Sequence, residues 1–110
     1  MPFEITAYIP SVPAGVYQAV CTGVDIRTAK DGSGSQFRVW EFTLRDGTGR
    51  TIGASSSMQT TPKSKGGKWA AALIGHQPEA GERVEPEGKA CTIIVAIKET
   101  TGYEYVETVA

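Results

Sequence analysis

At 110 residues, with 40% hydrophobic content, 21% charged residues and a formal net charge of −1, the chain has the size and balance of one globular domain with a modest core. No apolar run approaches the roughly 18 residues that a membrane-crossing helix needs. Residues Met1-Pro2-Phe3-Glu4 lack the basic start and apolar stretch of a secretory signal, so a cytoplasmic location is expected.

The near-neutral total hides a division along the chain. Residues 27–68 carry Arg27, Lys30, Arg38, Arg45, Arg50, Lys63, Lys65 and Lys68 against Asp31, Glu41 and Asp46, a surplus of five positive charges. Residues 69–110 carry seven glutamates against Arg83, Lys89 and Lys98, a deficit of four. A basic middle third attracts a polyanion locally, because salt confines the field to about 8–10 Å around the patch.

In chain order, Pro2, Pro10 and Pro13 mark residues 1–15 as an extended N-terminal arm, which leaves 16–110 as the folded domain. The segment "VYQAVCTGVDIR" predicts a long first strand over 16–27, with Gly23 at a bulge or bend. After the turn residues "TAKDGSGS", "QFRVWEFTLR" alternates, placing Trp40, Phe42 and Leu44 on one face and Phe37, Val39, Glu41 and Thr43 on the other. "DGTG" is a hairpin signal leading into a third strand, "RTIGASSSM".

Next comes "TTPKSKGGKWAAALIG". Pro62 and Gly66-Gly67 delay regular structure until Lys68, and a short helix follows with Trp69, Ala72 and Leu73 on one side and Gly75 at its end. The acidic stretch "HQPEAGERVEPEG" reads as a solvated loop. "KACTIIVAIK" and "YEYVETV", joined by a turn, read as the last two strands. The expected fold is all-β: a five-stranded OB-fold-like barrel with one short helix between strands 3 and 4, its first strand bent so that it serves both halves. In that barrel the first strand pairs with the fourth, which draws Cys21 and Cys91 together as free thiols.

The chain also resembles a family of small phage and prophage proteins of OB-fold character that bind single-stranded DNA in replication or recombination modules. The resemblance spans about 13–109 and rests on "PAGVYQAVCTGV", "FRVWEFTLRDG", "PKSKGGKWAAALIG" and "GKACTIIVAIKETTGYEYVETV". It implies single-stranded DNA as the ligand, replication or recombination proteins as partners, and a bacterial host cytoplasm as the location. The residues here include no acidic, Phe-tipped end of the kind many such proteins use to recruit partners, which argues against recruitment through a chain end.

Each candidate has a plainer reading beside it. Residues 60–69 do not make a nucleotide-hydrolysing loop, since Trp69 follows Gly67-Lys68 where Ser or Thr is needed. Lys63, Lys65 and Lys68 at the start of a helix suit phosphate binding without sequence reading; a lysine-rich soluble linker is the alternative. Arg38 and Arg50 add to the basic surface. Phe37, on the face away from Trp40, suits base stacking, or else covers a second small hydrophobic cluster under the arm. Tyr103 and Tyr105 on the last strand suit stacking, barrel closure or a protein contact. Trp69 in its helical register points to the core rather than to a base.

Ser55-Ser56-Ser57 and the lone His76 offer no activated nucleophile, and the cysteine spacing offers no metal site. No enzyme activity, cofactor or metal is therefore expected. The function expected is non-catalytic binding of single-stranded DNA, with RNA as the other strand type and homo-oligomerisation as a further property. The competing reading is a protein-interaction or virion-structural β-barrel that packs on copies of itself.

Overall fold

The computed structural model describes residues 2–5 and 10–110. Alternating apolar positions build five strands, β1 (Gly15–Thr28), β2 (Gln36–Leu44), β3 (Thr51–Ser57), β4 (Ala90–Ile97) and β5 (Glu104–Val109), with one helix, α1 (Lys65–Ile74), between β3 and β4. They form a single antiparallel sheet in the order β3-β2-β1-β4-β5.

β1 holds the sheet together because it is long enough to pair twice. Its first half, Gly15 to Val20, lies against β4, and Ala19 to Thr28 lie against β2. The register slips between Cys21 and Gly23, the place marked by the interior glycine. A bulge there adds local twist and bends the strand. A second slip between Ile94 and Val95 bends β4 against β5. Curling brings the outer strands β3 and β5 within contact distance, yet no hydrogen-bonded ladder joins them among the described residues. The sheet is therefore not closed into a barrel.

The core lies between the inner face of this sheet and α1. Trp40, Phe42 and Leu44 from β2 meet Ile52, Ile93, Val95, Val106 and Val109 from the other strands, with Trp69 and Leu73 from the helix. The Trp69 ring meets those of Trp40 and Phe42 edge-on, with centroids 5.5 and 5.8 Å apart, a favoured aromatic geometry. Trp69 is only 4% exposed, so the core reading of this residue holds and the stacking reading does not. Trp40 Nε1 donates to Ser56 Oγ at 2.9 Å, which gives the middle of the serine run a structural task.

The expected arm over 1–15 falls partly outside the described residues, at 1 and 6–9. Within its described part, Phe3 and Ile5 are exposed but Val12 is fully buried in the core. Cys21 and Cys91 are buried and free, in neighbouring strands, with Cys91 opposite Ala19. Burial pushes the Cys21 thiol up to about 11, although a contact with the Gly23 carbonyl works the other way. No helix among the described residues is long and apolar enough to cross a membrane.

Candidate nucleic-acid interface

The lysine-rich segment folds tighter than its glycines suggest. Regular helix begins at Lys65, not Lys68, because Ser64 caps it: the Ser64 Oγ accepts the Gly67 amide at 3.1 Å, the usual way to satisfy one of the free amides at a helix start. Gly66 and Gly67 are buried inside the first turn. They are glycines because the helix sits directly on the preceding backbone. A Cβ on Gly67 would lie 1.9 Å from the Thr61 carbonyl oxygen, and one on Gly66 would lie 3.0 Å from that of Gln59. The Gly67 amide is spent on the cap, so it is not free to form a glycine cradle.

Lys65 bridges the open seam of the sheet. Its ammonium donates to the Ser55 carbonyl of β3 at 3.0 Å and stands 4.7 Å from the centre of the Trp69 ring, a cation–π distance. Burial, and then the positive charge of Lys98, holds the Lys65 ammonium below its ordinary value of 10.5. Lys98 itself lies 5.6 Å from the Tyr105 ring on β5. Lys65 on the Ser55 carbonyl and Lys98 over the Tyr105 ring thus put two ammonium groups on the side of the sheet where β3 faces β5, near enough for the charge of Lys98 to act on Lys65. Lys98 was missing from the sequence-based set. Its signal was position, at the rim of a hairpin with Tyr103 before its return strand and Tyr105 on it.

Phe37 lies on the outer face of the sheet, opposite in the pleat to Trp40. Across the sheet, Arg27, Phe37 and Ser57 form one row. The next row on that face is Asp25, Val39 and Ser55, about 7 Å along the strands. Lys65 is anchored to that second row through Ser55. Tyr105 faces outward too, one position before the buried Val106, and Tyr103 in the preceding turn is 57% exposed. Lys63 and Lys68 are exposed, and Lys68 lines a hollow with Trp69 and Glu107.

Two predicted residues do not join them. Arg50 sits at the far end of the β2–β3 hairpin, where its guanidinium is taken up by Asp46 at 2.8 Å, the Ser11 carbonyl at 3.1 Å and the Thr48 hydroxyl at 3.1 Å. Hydrogen bonds from Thr48 and then Arg50 hold the Asp46 carboxyl at about 2. Arg38 alternates to the inner face and lines a cleft of about 760 Å³ bounded by Trp40, Gly66, Ala70, Val84 and Glu87. The acidic loop expected to be merely solvated forms the far wall of this cleft.

Among the described residues, no cluster of His, Cys, Asp and Glu is arranged to hold a metal ion. His76, the single histidine, is bonded to Glu82 at 2.9 Å. The chain matches no known protein-family model and no curated protein sequence.

Proposed function

We propose that the protein binds single-stranded DNA without catalysis, on the outer face of an OB-fold-like sheet, as the small phage proteins it resembles are understood to do. The observation that carries this reading is the pair of ammonium groups on the β3–β5 side of the sheet, Lys65 on the Ser55 carbonyl and Lys98 over the Tyr105 ring, with Phe37 on the neighbouring strand β2. Ammonium groups near half-buried Phe37 and Tyr105 and the exposed Tyr103 suit a strand whose phosphates are neutralised while its bases stack. The strand order, the doubly paired first strand and the helix between β3 and β4 support the OB-type assignment. Residues 16–110 act as one domain in this reading. Replication or recombination proteins of a bacterial cytoplasm are the partners it implies.

The test is a fluorescence titration with labelled oligothymidine and oligouridine at two salt concentrations. Neutralising Lys63, Lys65 and Lys68 together is expected to flatten the slope of log affinity against log salt by about 0.7 per lost contact, roughly 2 in all. Phe37→Ala is expected to lower affinity by about 1–3 kcal/mol with the slope unchanged, because stacking involves no phosphate charge. An unchanged affinity and slope in the triple variant would overturn the proposal.

A second reading, self-association as a structural β module, draws on Val16. It is 66% exposed and lies opposite Ile94 on the outer face of β1 and β4. Sedimentation that shows a salt-insensitive oligomer with no affinity for oligonucleotides would favour it.

A further inference from the structure

The cleft behind Arg38 is not explained by phosphate binding on the outer face. It lies on the other side of the first helical turn, at about 760 Å³, within the roughly 300–1,000 Å³ of small-molecule sites. Its walls are mostly apolar, from Val24, Trp40, Ala70 and Val84 among others. On one wall the Arg38 Nε is buried and has no acceptor among the described residues. A buried donor left unpaired is costly and calls for a ligand or water oxygen to complete it. The cleft is also lined by Glu79 and Glu87, and no ion pair joins Arg38 to either among the described residues. Glu82 is already used, its two oxygens bonded to His76 and to the Glu79 amide.

An occupant that pairs with both walls offers acceptors to the arginine and donors to the carboxylates, with an apolar body between them. Phosphate fits badly, because the acidic wall repels it. We infer that the cleft takes a guanine base, with O6 and N7 accepting from the Arg38 guanidinium, as arginine pairs with guanine elsewhere, and N1–H and N2–H donating to Glu79 or Glu87. Pro62, on the cleft wall, directly precedes Lys63, so a strand held by the lysines passes the mouth of the cleft and can turn one base into it. In this form the inference rests on the proposed DNA binding. The base site itself does not need it.

The experiment uses the whole protein and the four free nucleosides, read through the tryptophan fluorescence of Trp40 and the NMR signal of the Arg38 Nε–H. Guanosine is expected to bind at least tenfold more tightly than adenosine or thymidine and to shift the Arg38 signal. Arg38→Met is expected to abolish that preference while leaving the protein at least as stable, since it removes an unpaired buried donor. Glu87→Gln and Glu79→Gln together are expected to weaken guanosine and leave oligothymidine untouched. The triple lysine variant is expected to keep its guanosine site. Guanosine binding no tighter than adenosine or cytidine, or surviving Arg38→Met unchanged, would overturn the inference. Guanosine binding by an unaltered protein that shows no affinity for oligothymidine would instead count against the outer-face reading alone.

Discussion

Gly67→Ala separates a structural glycine from a functional one. In an ordinary exposed helix this change stabilises by about 1 kcal/mol, because alanine has the better helix propensity. Here the added methyl would stand 1.9 Å from the Thr61 carbonyl oxygen, 2.8 Å from its carbon and 3.0 Å from the Thr60 oxygen. All three are backbone atoms, so no side chain can rotate away, and either the Gln59–Thr61 loop or the helix must move. Overpacking of this kind typically costs about 1–3 kcal/mol, occasionally more. Because the contact is so short, the cost is expected at or above the top of that range, which outweighs the propensity gain. The net loss expected is about 2 kcal/mol or more, a fall in melting temperature of roughly 8 °C or more for a domain of this size. Urea titration should show a lower midpoint with an unchanged slope. Gly66→Ala, whose nearest neighbour is 3.0 Å away, is expected to lose less. A Gly67→Ala protein as stable as the parent would refute the close packing of α1 on the loop.

Other perturbations reach separate parts of the structure. Ser56→Ala strands the buried Trp40 indole N–H and is expected to cost about 1–3 kcal/mol, measured by urea titration. Asp46 has a folded value of about 2 against an ordinary 3.8. Its stabilising contribution is present above pH 3.8 and is lost as pH falls toward 2. Asp46→Asn is therefore expected to flatten the acid side of the stability profile over that window. With Cys21 pushed up to about 11 and Cys91 raised by burial as well, a thiol reagent at pH 8 is expected to label neither until the protein is unfolded. Lys65 lies below 10.5 in the free protein, and a phosphate drawn to it raises that value again. DNA binding is thus expected to take up protons and to weaken as pH rises through the depressed value, a dependence that Lys65→Arg removes. Calorimetry in buffers of different ionisation heat checks this.

Periodicity in the sequence determined most of the architecture. Trp40, Phe42 and Leu44 alternate with outward residues, Trp69 and Leu73 share a helical face, and Gly23 marks the bulge, because local backbone geometry alone dictates those spacings. The helix start was misread because glycine normally breaks helices, whereas here Gly66 and Gly67 are required by a backbone approach that only tertiary packing creates. The candidate surface was legible as a composition, a basic middle third with exposed aromatic positions. Its membership was not. Lys98 lies in the acidic last third, and its charge acts on Lys65 only because the curled sheet brings β5 to β3. Arg50, equally basic in sequence, is tied up by Asp46 and Thr48 in its own hairpin. Arg38 and Phe37 are neighbours in sequence, but the strand pleat sends one to a cleft and the other to the outer face. Charge counts along a chain record what is present, while the pairing of strands decides which charges stay free and which face each other across a gap.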